Sequence, residues 1–424
     1  METISTGSYR RNRHAPIGAK RARSAERSAA GAALGNTRAA FPVSNRGRRY
    51  ALRDGVRQIT TLERVRKCGV VPLGPTVTLR ADCDGKRPGL GGITTCGSVW
   101  TCPVCAAKIA ATRKTEVQAA IERAVAEGLH VSMLTLTMRH HKGQQLGDLW
   151  DALAYAWQGV TSGRRWVGDG DEARGGFRGD LGLRGYIRAT EVTHGGNGWH
   201  VHVHILLISE KDPTKTPLFW QRKQGRRKQP YPLEVTMPKE FIAERWGRRL
   251  ADRGVDFVAG SGGLHWETAE NPEAIGRYVA KLQSGAESLS SEATLGQFKK
   301  ARGQNRTPFQ ILADMLDPGD MDDVETWWAW ESGSHGRRAL TWSKGLRDWA
   351  GLGAEKSDEE IAEEEIGDNV IAVFTRESWA KVRAEGVADL LDTTERDGVH
   401  AAYRWLLDRG IDFSVPPDPG RLRE

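Results

Sequence analysis

The stretch "NGWHVHVHILLIS" (197–209) leaves few conformations open. Side chains alternate across a β-strand, so His200, His202 and His204 share one face, and Trp199, Val201, Val203, Ile205 and Leu207 share the other. The second face reads as core. The first raises a chemical question, because three adjacent imidazoles are an expensive way to line a strand. A single histidine there would read as a hydrogen-bonded core residue. Three at strict period two, opposite five apolar residues, point instead to a cation or phosphate site.

A hard cation needs an acidic partner beside imidazoles. "RGYIRATEVT" (184–193) reads as a strand and "HGGNG" as a tight connection, so the histidine segment is the returning arm of a hairpin. Pairing about that connection can bring Glu191 opposite His202, although the register is open and Glu191 also suits a solvent-facing position.

Elsewhere helix and strand patterns alternate. "KIAATRKTEVQAAIERAVAEG" repeats apolar residues at Ile109, Val117, Ile121 and Val125 and stops at Gly128, an amphipathic helix. "SMLTLTMR" alternates Leu134, Leu136 and Met138 with Thr135, Thr137 and Arg139, a strand. Leu146, Leu149, Trp150, Leu153 and Trp157 mark a helix; a helix near 239–253 and a strand near 264–268 follow. Short hairpin connections with helices on one side predict an antiparallel sheet, hence an α+β fold.

"NPEAIGRYVAKLQSG" begins with Asn271 suited to an N-cap and Pro272 to the first helical position, and stops at Gly285. Tyr278 borders the apolar stripe of Ile275, Val279 and Leu282, and alone would be core packing. Lys281 sits one turn on, suited either to neutralise a bound phosphate or to favour the phenolate; a tyrosine with a pKa near 10 is a usable nucleophile only if positive charge or a base offsets it.

The chain has five cysteines, an odd number and too few for a disulfide scaffold. "CGSVWTCPVCAAKI" places Cys96, Cys102 and Cys105 within ten residues, which suits most of a structural zinc site. A redox pair is the competitor, but no thioredoxin-like pattern surrounds it. Cys68 and Cys83 both offer a fourth ligand, and spacing leaves the choice open.

Charge is distributed in blocks. Residues 1–50 carry 11 Lys/Arg against 2 Asp/Glu and residues 351–424 carry 9 against 18, so with +8 overall the middle block is itself basic. A polyanionic partner fits that body. Residues 1–50 read as a disordered basic arm and 354–368 as an acidic linker, with helices at 376–391 and 394–409 beyond. A polar insertion centred on "QRKQGRRKQ" (221–229) supplies Arg222, Lys223, Arg226, Arg227 and Lys228 as candidate DNA contacts. No stretch suits a signal peptide or a membrane span, so a cytoplasmic protein without a membrane partner is expected.

Taken in order, "CGSVWTCPVCAAKI", "MLTLTMRHH", "EVTHGGNGWHVHVHILLI", "YVAKL" and "WAWESGSHGRRALTWSKGLRDW" resemble the rolling-circle replication initiators of small actinobacterial plasmids, within the HUH endonuclease superfamily. The resemblance covers roughly residues 60–350. Its Thr-rich strand, histidines and tyrosine come in the initiator order rather than the relaxase order.

The resemblance implies a five-stranded antiparallel sheet with flanking helices, preceded by a cysteine-rich zinc module (51–108) and spanning a catalytic domain (109–290). A helical, Trp-rich extension (291–350) would follow, and the charge and helix pattern read an acidic linker and helical element over 351–424. The resemblance maps the histidine pair onto His202 and His204, with His200 an extra, and the nucleophile onto Tyr278; the cysteine of "RKCG" favours Cys68 over Cys83. Mg²⁺ or Mn²⁺ would serve catalysis and Zn²⁺ structure. The implied substrate is single-stranded or extruded origin DNA, with a host helicase and single-strand-binding protein as further partners. Some relatives carry a glutamate one turn before the tyrosine; here that position is Ala274, with Glu270 and Glu273 the nearest acids. A transposase of the same superfamily, or a zinc-ribbon DNA binder without catalysis, are the competing expectations.

Overall fold

The computed structural model describes residues 44–82, 87–170, 174–226, 229–258, 260, 262–269, 305–316, 323–364, 367 and 369–416. Its first half runs α1 (Asn45–Ile59), α2 (Glu63–Lys67), β1 (Thr76–Ala81), β2 (Gly89–Gly91), α3 (Pro103–Ala126), β3 (His130–Leu136), α4 (Leu146–Val160), α5 (Arg164–Val167), α6 (Gly176–Leu181), β4 (Leu183–Gly195) and β5 (Gly198–Ser209). Then come β6 (Leu218–Trp220), β7 (Glu234–Thr236), α7 (Pro238–Ala251), β8 (Leu264–Thr268), α8 (Pro308–Leu316), α9 (Val324–Ser334), β9 (Leu340–Trp342), α10 (Leu346–Trp349) and α11 (Asp358–Glu363). The described chain closes with β10 (Asn369–Thr375), α12 (Arg376–Glu385), α13 (Val387–Asp397) and α14 (Val399–Asp408).

The main sheet has the order β8-β3-β5-β4-β9, every neighbour antiparallel. The β4–β5 hairpin is its spine. Register Thr193↔His200 and Gly195↔Gly198 leaves Gly196-Asn197 as a two-residue turn, and the short turn pins the pairing of the whole hairpin. Val201, Val203, Ile205 and Leu207 of β5 enter the largest core with Leu149, Leu153 and Trp157 of α4 and Phe241, Trp246 and Leu250 of α7. On the opposite face Leu206 and Ile208 pack with Val117, Ala120 and Ile121 of α3. Helices therefore lie on both sides of the sheet, where the sequence predicts one. The reason is that the histidine face turns apolar at Leu206 and must be covered there.

A second sheet, β10-β1-β2, is built from the two ends of the described chain. Val77 and Leu79 of β1 share a core with Phe374 of β10, Trp379 of α12, Leu390 and Leu391 of α13 and Leu406 of α14. The C-terminal region thus contributes a strand, which the run "NVIAVFT" signals only once a partner strand is available. Its helices also differ from the two expected over 376–391 and 394–409. The chain breaks at Gly386 (φ 131°) and Gly398 (φ 83°), conformations that only glycine adopts without strain. The acidic stretch is docked rather than a free linker. Arg113 donates to the Lys356 carbonyl (2.6 Å) and to Asp358 (3.2 Å), Lys108 donates to the Ala362 carbonyl, and Ile361 is fully buried. Among the described residues no helix is long and apolar enough to cross a membrane.

Candidate metal centres

Glu191 pairs with His202 across the β4–β5 hairpin, and His204 lies two residues further along the same face. The Glu191 Oε2 atom is 3.1 Å from Nε2 of His202 and 3.0 Å from Nε2 of His204. The two imidazoles stand perpendicular, ring centroids 5.0 Å apart, so both nitrogens converge on one point. Two imidazole nitrogens and a carboxylate oxygen within 4.8 Å of one another form a donor set that suits a divalent ion.

The neighbouring strand completes the arrangement. Thr135 of β3 is opposite His204, and its hydroxyl lies 2.9 Å from His204 Nδ1. With Nδ1–H donating to that oxygen, Nε2 keeps its lone pair for a ligand. Among the described residues, Nδ1 of His202 is buried with no hydrogen-bond partner. The sequence reading used Thr135 only as a strand residue; its period-two alternation with Leu134 and Leu136 is the signal that places it on the histidine face.

His200 lies outside this donor group. Its ring stacks on His202 (4.8 Å) and packs against His140 (4.9 Å), and burial, then the neighbouring His202 and His140, pushes its pKa down to about 4. It is a neutral ring extending the row.

The second cluster lies where α1, α2 and the start of α3 meet. Cys68, Cys96, Cys102 and Cys105 are all buried, with Sγ separations of 3.7 Å for Cys68–Cys102, Cys68–Cys105 and Cys96–Cys105. These are not disulfide distances. A tetrahedral ion with bonds of about 2.3 Å to sulfur needs sulfurs about 3.8 Å apart, so the four thiols fit zinc geometry. Cys68 stands in the fourth position, while Cys83 lies outside the described residues.

Arg53 of α1, also unremarked in the sequence, is buried beside this cluster; its Nε lies 3.9 Å from Asp54, and among the described residues Nε and Nη2 have no hydrogen-bond partner. A Cβ at Gly69 (φ 69°) would run into its guanidinium. The three other thiols, and behind them the Arg53 charge, hold the Cys68 thiol well below the ordinary thiol range. The Arg53 charge favours the thiolate of Cys68 that metal binding requires, whereas the neighbouring thiols push Cys102 up.

Tyr278 and Lys281 lie outside the described residues, as do Arg227 and Lys228. In the β6–β7 insertion, Lys223 pairs with Asp169 (3.4 Å), Arg222 lies over the Tyr231 ring, and Arg226 is exposed.

The family model described as "Replication protein" matches residues 92–216, a span that contains three of the cysteines and the whole β4–β5 hairpin. A curated relative named "Protein rep", from Streptomyces lividans, is 30% identical over 367 residues, covering 75% of this chain and 74% of its own. Another, named "Neomycin resistance protein", from Streptomyces cyanogenus, is 35% identical over 187 residues, 40% of each chain. No solved structure gives a significant match. The family match across the hairpin and the long alignment to the Streptomyces protein together show that the chain belongs to the replication proteins, as a plasmid replication initiator of actinobacterial type.

Proposed function

We propose that this initiator nicks and rejoins one strand of its plasmid origin, with Tyr278 as nucleophile and Glu191, His202 and His204 as the seat of Mg²⁺ or Mn²⁺. The convergence of Glu191 Oε2 and two imidazole Nε2 atoms across a single hairpin carries this reading. Bound there, the ion supplies Lewis-acid neutralisation of a non-bridging phosphate oxygen.

The residues do the rest. Thr135 orients His204, and Glu191 balances charge between the two imidazoles. The Tyr278 oxygen, its proton lost to solvent, forms a bond to phosphorus, and the bond from phosphorus to the 3′-oxygen breaks. That oxygen takes up a proton and becomes the 3′-hydroxyl that primes synthesis, while the phosphate remains as a 5′-phosphotyrosine. One phosphate ester replaces another, so rejoining needs no ATP. Lys281 lowers the cost of the phenolate by its charge. The substrate is single-stranded or extruded, because the tyrosine needs an in-line approach to the backbone. Arg222, Lys223, Arg226, Arg227, Lys228 and the basic arm hold its phosphates. Cys68, Cys96, Cys102 and Cys105 hold a structural Zn²⁺.

The test is denaturing electrophoresis of the protein mixed with end-labelled origin strand and Mn²⁺, wild type beside Tyr278→Phe. Wild type forms a covalent 5′-linked adduct; Tyr278→Phe binds DNA and forms none. An adduct that survives the substitution moves the nucleophile elsewhere, with Tyr186 on β4 the next candidate.

A further inference from the structure

We infer that the outer face of α7, on the side of the sheet away from the histidines, is a second DNA-contact surface that binds the phosphate backbone of duplex DNA. α7 packs on the core side of β5 with α4, whereas Glu191, His202 and His204 occupy the other side. Arg245 and Arg249 of α7 and Arg253 just beyond it recur every four residues, and Arg248 follows Arg245 by three, so they share one side of the helix. From the first to the last is about 12 Å along the axis at about 1.5 Å per residue, close to the width of a major groove of about 12 Å.

Packing against aromatic rings and carbonyls holds three of these arginines in place. Arg249 and Arg253 lie over the Tyr155 ring (5.6 and 4.2 Å), and Arg245 and Arg165 lie over Phe241 (5.3 and 5.5 Å). Arg245 donates to the carbonyls of Gly159 (2.6 Å) and Ser162 (2.7 Å) at the end of α4. A side chain at Gly159 would collide with Arg249, so the glycine lets the two helices close with the arginine between them. Among the described residues, neither Arg245 nor Arg253 makes an ion pair, the Arg248–Glu244 pair is long at 3.8 Å, and Arg249 pairs with Asp252 at 3.2 Å. Burial first, and then repulsion from Arg248, Arg165 and Arg249, lowers the Arg245 pKa, while the hydrogen bond to Asp252 raises that of Arg249. An external polyanion relieves that repulsion.

Duplex fits better than single strand. Sequence-tolerant single-strand sites offer open aromatic faces on which bases stack. Here guanidinium groups lie over the Tyr155 and Phe241 rings, and Arg248 and Arg253 are exposed beside them. Arg165, which also reaches Glu234 of β7 (3.5 Å), ties this face to the base of the insertion that carries Arg222 and Lys223. A duplex flanking the nicked strand would be gripped behind the sheet while the strand is processed in front.

The experiment uses the full chain with Arg248→Ala and Arg253→Ala together, both exposed and remote from the metal centres. Fluorescence anisotropy with a duplex outside the nick sequence, over a range of NaCl, reads affinity and salt slope. The expected result is weaker duplex binding by at least about tenfold at low salt and a slope of log K against log [salt] shallower by about two. Binding to a short single strand stays as in wild type. An unchanged duplex affinity and slope overturns the inference and leaves an acidic protein partner for this face. Equal losses for single strand and duplex overturn it too, with the melting curve separating misfolding from a shared channel. Nicking does not enter the readout, so a failed nuclease assay leaves this test intact.

Discussion

The Thr135 hydroxyl and Nδ1 of His204 meet at 2.9 Å across the β3–β5 pairing, on the side of the imidazole away from Glu191. One ring nitrogen is thereby assigned to orientation and the other to the ligand position. Replacing Thr135 by Val keeps the β-branched shape and removes the oxygen, so the strand should persist while the ring loses its anchor. Mn²⁺ affinity by calorimetric titration should fall about 10-fold or more, and Thr135→Ser should recover most of it. Equal Mn²⁺ affinity in wild type and Thr135→Val would show that the hydroxyl is not what orients the ring.

The pair of His202 and His204 separates chemistry from binding. The double variant His202→Ala, His204→Ala should lose origin cleavage, as should wild type in EDTA, with Mg²⁺ or Mn²⁺ restoring only wild type. Origin-strand binding by gel shift should change little, because phosphate contacts elsewhere supply most of the affinity. Normal cleavage by the double variant would reduce the histidine face to packing.

The cysteine cluster predicts about one tightly held zinc per chain by elemental analysis. Cys68→Ser and Cys102→Ser should each abolish it and lower solubility, whereas Cys83→Ser should retain it. Gly69→Ala should destabilise by more than about 1 kcal/mol, since it combines a positive φ with collision against Arg53. Full zinc content in Cys68→Ser would remove Cys68 from the ligand set.

The pairing of β1 with β10 makes the C-terminal region part of the fold. A chain ended at residue 364 should be insoluble, because Val77 and Leu79 lose the core that buries them. Phe374→Ala alone should cost about 3–5 kcal/mol in urea denaturation. A soluble, origin-binding truncation would make residues 365–424 dispensable.

The hairpin was legible in the sequence because its information is local. Alternation of apolar and imidazole side chains follows from the backbone period, and a short turn admits few registers, so Glu191, His202 and His204 were nameable from thirteen residues and a preceding strand. Cys96, Cys102 and Cys105 are likewise close neighbours in the chain. Tertiary structure decided what depends on surfaces distant in sequence. Cys68 reaches the other thiols only because α1 and α2 pack beside α3, and β10 reads as a strand only against β1, nearly 300 residues earlier. Periodicity gives Thr135 its strand face and the α7 arginines their helix face, but not that Thr135 stands behind His204, that Arg53 lies beside the thiols, or that the arginines lie on the reverse of the sheet. Each is set by which faces bury together. Periodicity along a chain records which way a side chain points, whereas its neighbour across a core is chosen by packing.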